Sequence, residues 1–129
     1  MTDQEAIDLG RRAVRCKGWA WKPGMLIRYG TRTRIYDVHR IGGDDGTDNS
    51  RPTNGSAWWP DFRCPCTVGG LLALVREAWG DLTIHAHYSP EWGGWYVGNG
   101  GNLEHADGRP LGRFPTEVDA LVRALECAP

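Results

Sequence analysis

The segment 67–80 places the strongest constraint on what this chain of 129 residues can fold into. Its sequence, TVGGLLALVREAWG, contains two strongly polar residues, Arg76 and Glu77, among a majority of apolar ones. On a helical wheel the apolar side chains cover most of the circumference, so a helix here needs neighbours on more than one side. Thr67 is suited to cap its N-terminus, and Gly80 is suited to the left-handed conformation that ends many helices. The sequence therefore predicts a central helix that other elements enclose as the middle layer of the fold.

Two further helices are predicted near the ends of the sequence. Thr2 and Glu5 have the spacing of a capping box, and the apolar residues after them recur at helical intervals, which predicts a helix over residues 3–17. Further along, Thr116 is suited to cap a helix with one buried face that packs on a sheet. The apolar positions of that face are spaced as i, i+3, i+4 and i+7: Val118, Leu121, Val122 and Leu125.

Residues of high strand propensity, bounded by turn residues, predict the strands between these helices. They lie at 25–29, 32–41, 57–59, 83–88 and 95–97. With the helices, the order is α-β-β-(β)-α-β-β-α, which indicates an α+β fold: an antiparallel sheet of about four to five strands layered with three helices. A single domain over residues 1–129 is expected. The segment 42–56 has no aliphatic side chain and is expected to be a flexible loop within that domain.

Basic residues are concentrated in one part of the chain, although the formal net charge is −1. Residues 11–40 contain nine Arg and Lys residues and one acidic residue. A hairpin over 28–40 would place several cations and a tyrosine on one face, an arrangement suited to contacting phosphates and stacking on a base. This hairpin supports one functional alternative, a nucleic-acid-binding protein. Its candidate contact residues are Arg28, Arg32, Arg34, Tyr36 and Arg40.

Seven tryptophans are many for a chain of this size, and Trp is enriched at the anchors of protein–protein interfaces. Trp58 and Trp59 are adjacent, so on a strand their rings point to opposite faces and one ring is expected outside the core. Trp92 lies in the predicted turn SPEWGG, where burial is difficult. Exposed Trp beside Arg has the composition of a protein-binding hot spot. The predicted protein-binding residues are Trp58, Trp59, Trp92, Arg32 and Arg34.

Zinc binding is the most specific metal hypothesis that the sequence offers. Cys64 and Cys66 flank a proline, and His85 and His87 share one face of a predicted strand, so together they supply the donor atoms of a tetrahedral site. The single residue between the cysteines is fewer than the two to four that structural zinc sites use. The sequence therefore favours a chain with no metal and no cofactor, and the four-ligand zinc site is the alternative.

Motif content and hydropathy predict the broad class of the protein. The sequence contains neither a nucleophile-elbow pattern nor a phosphate-binding glycine pattern, so no catalytic residues and no enzymatic activity are expected. No apolar run approaches the ~20 residues of a membrane span, which predicts no membrane partner. The acidic start is unlike a secretory signal, and the four cysteines are expected to be reduced thiols in the cytoplasm.

Several stretches resemble small uncharacterised proteins encoded by tailed phages and prophages. They are CKGWAW followed by PGM, LLALVREAWG, the YSP turn with WYVG after it, and FPTEVDALVRALE, and they cover residues 5–29 and 67–127. The order of elements is similar to that of the phage ABA-sandwich domain. The resemblance implies a small phage-encoded accessory protein that binds a host macromolecule in the host cytoplasm. A host protein is the expected partner, for example a defence component whose inhibition would make this an anti-CRISPR or related anti-defence protein.

Overall fold

The structure, a computed structural model, describes residues 1–29, 32–36 and 58–129, and within them it has three helices and five strands. In chain order these are α1 Asp3–Val14, β1 Leu26–Tyr29, β2 Arg32–Ile35, β3 Trp59–Pro60, α2 Pro65–Trp79, β4 His85–Ser89, β5 Gly94–Gly98 and α3 Glu117–Glu126. The α+β class, the order of elements and the three helices are therefore confirmed. The predicted loop 42–56, the end of the predicted second strand and Arg40 lie outside the described residues.

The described strands form two small antiparallel sheets, so the prediction of a single sheet needs correction. One sheet has the order β2-β1-β3, with Ile27 opposite Arg34 on one side and opposite Pro60 on the other. The second sheet is the hairpin β4-β5. The outer edge of β5 is already occupied, because Trp95 exchanges two backbone hydrogen bonds of 2.8 Å with Phe114. That edge is consequently closed to the strands of the first sheet.

Helix α1 is held at its start by the predicted capping box and packs against β3. The backbone N–H of Glu5 donates to Thr2 Oγ1 at 3.1 Å, and the N–H of Thr2 donates to the Glu5 carboxylate at 2.9 Å. The helix ends at Val14, three residues before the predicted end. Gly10 allows the close approach to the sheet, since a Cβ there would lie 2.6 Å from the carbonyl oxygen of Pro60.

Helix α2 begins earlier than predicted, with Cys64 as its N-cap and Pro65 as its first residue. Thr67 is therefore not the cap. Its side chain is fully buried, and Oγ1 accepts a hydrogen bond of 2.9 Å from the backbone N–H of Leu26. Gly80 ends the helix in the left-handed conformation, with φ of 65°, as predicted. Leu71 and several neighbours are buried, but other apolar positions of α2 are only half-buried.

Helix α3, rather than α2, is the most enclosed helix of the described chain. Six of its ten residues are buried: Val118, Ala120, Leu121, Val122, Ala124 and Leu125. The helix contacts α1, α2, β4 and β5, and the indole Nε1 of Trp79 ties it to α2 by donating to the Ala124 carbonyl oxygen at 2.8 Å. Its start follows the prediction, since the N–H of Asp119 donates to Thr116 Oγ1. The sequence predicts that α2 is the enclosed middle layer of the fold, and in the structure α3 is the more enclosed of the two helices.

Candidate protein-binding surface

Arg28, the first residue of the predicted basic face, is engaged inside the protein. Its Nε donates to the carboxylate of Asp61, a side chain that is only 1% exposed. Arg63 binds the same carboxylate, through its backbone N–H at 3.0 Å and through Nε and Nη2 at 3.0 and 3.1 Å. Arg63 also pairs with Asp3 at the start of α1. The charge of Arg28 is therefore neutralised by a buried acid and does not form part of a phosphate-binding face.

Of the other residues of the predicted basic face that the structure describes, Arg32 alone is exposed, so the expected face of several solvent-facing cations is not seen among residues 28–36. Tyr36 is buried, with its ring centroid 6.2 Å from that of Trp21, and its backbone exchanges hydrogen bonds of 2.8 and 2.9 Å with Met25 and Gly24 beyond the end of β2. Arg34 is half-buried, with its guanidinium carbon 5.0 Å from the centroid of Trp58. Arg32 is exposed.

The adjacent tryptophans Trp58 and Trp59 differ in burial, as the sequence predicts, although Trp58 lies just before β3 and not within it. Trp59 is buried against α1, where its ring would lie 3.2 Å from a Cβ added at Gly10. A partner cannot reach that ring, so Trp59 is removed from the predicted binding residues. Trp58 is half-buried and packs against Tyr29, with ring centroids 5.1 Å apart, and under Arg34. Around the half-buried Trp58, Tyr29 is 44% exposed, and Ile35 on the neighbouring strand β2 is 55% exposed.

Trp92 is the most exposed tryptophan of the described chain, at 65%. It lies in the turn 90–93 between β4 and β5, which closes through a hydrogen bond of 2.8 Å from the Gly93 N–H to the Ser89 carbonyl oxygen. Gly93 has a φ of 67°, a conformation that glycine adopts without strain. The guanidinium carbon of Arg113 lies 4.3 Å from the Trp92 ring centroid, within the range of a cation–π contact. The exposed ring is therefore held in place by a charged neighbour.

The exposed aromatic surface continues from Trp92 onto the two strands. Tyr88 is 54% exposed and lies opposite Trp95 in the β4-β5 register, with the two ring centroids 5.7 Å apart in an edge-to-face arrangement. Trp95 pairs in turn with Phe114, the residue after Arg113. Gly94 permits this approach, since a Cβ there would lie 3.1 Å from Arg113 Cβ. We call Tyr88, Trp92, Trp95 and Arg113 the hairpin-tip patch.

Sequence reasoning identified Trp92 but not the rest of this patch. Tyr88 shares a strand face with Ala86, and this alternation does not indicate that its side chain is exposed. In the structure Tyr88 lies near the turn 90–93 and is exposed. Arg113 is placed beside Trp92 by the pairing of Trp95 with Phe114, a contact between distant parts of the chain. No local pattern in the sequence signals such a contact.

The cysteine and histidine pairs are not gathered into one site. Cys64 and Cys66 lie at the N-terminal end of α2, whereas His85 is at the other end, beside Arg76. Ten residues separate Cys66 from Arg76, which corresponds to roughly 15 Å along the helix axis. His87 stacks on Tyr96 across the hairpin, with ring centroids 5.1 Å apart. Within residues 1–29, 32–36 and 58–129, no group of three or more His, Cys, Asp or Glu side chains is arranged to hold a metal ion.

Two further results bear on the class of protein. No helix in the described ranges has both the length and the apolar character needed to span a membrane. Comparisons of this chain with protein families, with curated proteins and with solved structures gave no match.

Proposed function

We propose that this protein acts by binding another protein through the hairpin-tip patch. The observation that carries the proposal is the Trp92 ring, which is 65% exposed and stacked by Arg113. Exposure of this apolar indole surface to water is unfavourable, so its transfer into a pocket of a partner protein would lower the free energy. The binding role is proposed without any enzymatic activity.

The composition of the patch favours a protein partner. Trp, Tyr and Arg are the residue types most enriched at interface hot spots, where an aromatic anchor fills a pocket and charged groups lie at the rim. Trp92 supplies such an anchor and Arg113 a rim cation, while the partly buried Trp95 supports Tyr88 from one side. The matching surface on the partner would be an apolar pocket with an acidic group at its edge.

The nucleic-acid alternative has less support from the described residues. Phosphate binding needs several free cations on one face. Arg28 is paired with Asp61, Arg34 is stacked on Trp58, and Arg40 lies outside the described residues. The net charge of −1 supplies no general attraction to a polyanion.

The nature of the partner is proposed from the resemblance to small phage proteins. Such a protein would meet its target in the cytoplasm of the host, and a component of host defence, such as a CRISPR effector, is the proposed class of target. Affinity capture tests this proposal, because it identifies a binding partner directly.

The test is affinity capture from host lysate with the wild-type protein, a Trp92→Ala variant and a Leu82→Ala variant. Leu82 is 79% exposed and lies before β4, outside the hairpin-tip patch, so it is a matched loss of an exposed apolar side chain. We expect wild type and Leu82→Ala to retain the same host protein and Trp92→Ala to lose it. Truncation of a hot-spot Trp costs about 2–4 kcal/mol, which weakens binding by about thirtyfold or more.

Nuclease treatment separates the two functional classes. If the captured protein survives nuclease and moderate salt, the contact is between proteins. The proposal is wrong if Trp92→Ala retains the partner as well as Leu82→Ala does, or if nuclease releases the partner and Arg32→Glu abolishes its capture. In the second case, binding would fall steeply with salt, as it does for phosphate contacts.

A further inference from the structure

The four cysteines of the chain are free thiols in different surroundings. Cys64 and Cys66 are adjacent to the N-terminus of α2, with Pro65 between them, and both are partly or fully accessible. Cys16 is buried after the end of α1, and its Sγ lies 3.4 Å from the Arg12 carbonyl oxygen. Cys127 is half-buried after the end of α3. The Cys64–Cys66 pair is thus the one that a reagent in solution reaches most directly.

The backbone between the two cysteines sets a distance that suits a disulfide. The separation of Cα atoms two residues apart depends on the φ and ψ of the residue between them, which here is Pro65 in helical conformation. Helix geometry gives about 5.4 Å for this separation. Disulfides join Cα atoms that lie roughly 4.4–6.8 Å apart, and the Cys66 side chain already hydrogen-bonds to the Cys64 thiol, so both the main-chain spacing and the side-chain contact suit a bond between the two sulfurs.

The same helix end favours the thiolate of Cys64. Burial by itself would raise the pKa of Cys64, but hydrogen bonds from the backbone N–H groups of Thr67 and Cys66, and from their side chains, bring the pKa below its ordinary value. Donor groups at the start of a helix have no partner within the helix and stabilise an anion there. Burial raises the pKa of Cys16 to about 11, so that thiol stays protonated at neutral pH. Nucleophilic reaction requires the thiolate, so Cys64 is favoured over Cys16.

We propose that Cys64 and Cys66 form a redox-active dithiol that exchanges with low-molecular-weight disulfides. In the first step the Cys64 thiolate attacks one sulfur of a disulfide RSSR, forming a mixed disulfide on Cys64 and releasing RS⁻. In the second step Cys66 loses its proton to solvent and attacks the Cys64 sulfur, forming the Cys64–Cys66 disulfide and releasing a second RS⁻. Two protein thiols are oxidised and one RSSR is reduced to two thiols, so the exchange is balanced and reversible.

The test uses the full-length reduced protein and glutathione disulfide near neutral pH, followed by acid quenching, N-ethylmaleimide labelling and mass spectrometry. Both cysteines fall in one tryptic peptide, residues 64–76, because Arg63 and Arg76 flank it. We expect this peptide to become unlabelled and lighter by two hydrogen atoms, while Cys16 and Cys127 remain available for labelling. Treatment with excess reduced glutathione should restore both labels.

Single-cysteine variants identify the role of each sulfur. In Cys66→Ser we expect glutathione to stay attached to Cys64, because the resolving thiol is absent. In Cys64→Ser the mixed disulfide on Cys66 should form more slowly by about threefold or more, because the hydrogen bonds that favour a thiolate at the start of α2 are made to Cys64. Cys127→Ser is the matched control and should oxidise as wild type does. Circular dichroism of each variant verifies that it folds.

Three results would overturn the proposal. Wild-type oxidation could stop at a mixed disulfide with no internal bond, Cys66 could react as fast as Cys64, or Cys16 and Cys127 could oxidise first. A variant that fails to fold leaves the wild-type peptide mass as the deciding measurement, because that mass reports the internal disulfide directly.

Discussion

At the scale of single residues, Asp61 is a buried charge that connects the first sheet to the start of α1 through two arginines. Its carboxylate accepts hydrogen bonds from Arg28 on β1 and from Arg63, which also reaches Asp3. Burial alone would raise the pKa of Asp61, but the hydrogen bonds from Arg63 and then Arg28 outweigh it, so the pKa lies below its ordinary value of 3.8. The group is thus ionised in the folded protein at neutral pH.

We predict that Asp61→Asn lowers the free energy of unfolding by on the order of 2–3 kcal/mol at neutral pH. Loss of one partner from a fully buried ion pair costs about 3–5 kcal/mol, and both arginines here remain about a third exposed, so water can hydrate them in part. Urea unfolding of wild type and variant gives the difference. Asp107→Asn is the control, since Asp107 forms an exposed pair with Arg109, for which ~0–1 kcal/mol is expected.

The pH dependence of this difference has a defined sign. Because the folded pKa of Asp61 is lower than the unfolded one, its contribution is complete above the unfolded value and is lost as pH falls through the folded value. The gap between wild type and Asp61→Asn should therefore shrink as pH falls below ~4. A gap that stays constant across this range would mean that the variant acts through changed packing and not through loss of the charge.

Local polar roles could be predicted from the sequence, and long-range ones could not. The sequence predicts the Thr2 and Thr116 caps because each accepts a hydrogen bond from a residue three positions away. Thr67 also precedes an apolar run and is predicted as a cap, yet its hydroxyl accepts from the backbone N–H of Leu26, 41 positions away. Asp61 and Arg28 are separated by 33 positions. Pairing across such distances is set by the fold, and residue type and spacing do not indicate it.

At the scale of elements, helix α2 contains a pair of adjacent glycines in different surroundings. A Cβ added at Gly69 would meet no atom within 4 Å. A Cβ at Gly70 would lie 2.5 Å from Met25 Cε, the flexible end of a buried side chain. Both residues cost the helix backbone entropy relative to alanine.

We predict that Gly69→Ala raises the free energy of unfolding by about 0.5–1 kcal/mol, the difference in helix propensity between the two residues. Gly70→Ala is the matched variant and should gain less or lose stability, because Met25 must move out of a well-packed site. Thermal or urea unfolding of both variants measures the difference. If the two substitutions change stability equally, the contact of Gly70 with Met25 does not restrict the helix.

Elements with a regular period were predicted more accurately than the pairing of strands. The starts of α1 and α3 follow from capping residues and apolar spacing. The division into two sheets does not, because it depends on Phe114 occupying the outer edge of β5. The segment around Phe114 is rich in glycine and has no alternating pattern, so nothing local marks it as an edge partner. The same contact places Arg113 beside Trp92, so no local pattern predicts Arg113 as part of the hairpin-tip patch.

At the scale of the whole molecule, α3 links the two sheets. It contacts β4 and β5 directly, and it contacts α1, which in turn packs against β3 of the first sheet. Ile27 of the first sheet, Val97 of the second and Leu121 of α3 belong to one cluster of buried side chains. This continuity supports the prediction that the chain is a single domain, because a shared core makes the unfolding of one part costly to the other.

We predict that Leu121→Ala destabilises both sheets together. Leu121 is fully buried, and truncation of a buried leucine costs about 2–5 kcal/mol through lost burial and the cavity left behind. Native-state hydrogen exchange should show the most protected amides of β1 and β5 losing the same free energy of protection, since both open only by global unfolding. Leu82→Ala, at an exposed site, should change neither.

If the amides of β5 lose protection while those of β1 keep it, the hairpin β4-β5 and α3 unfold as a unit separate from the first sheet. The single-domain prediction would then be wrong, and the hairpin-tip patch would belong to the less stable part of the protein.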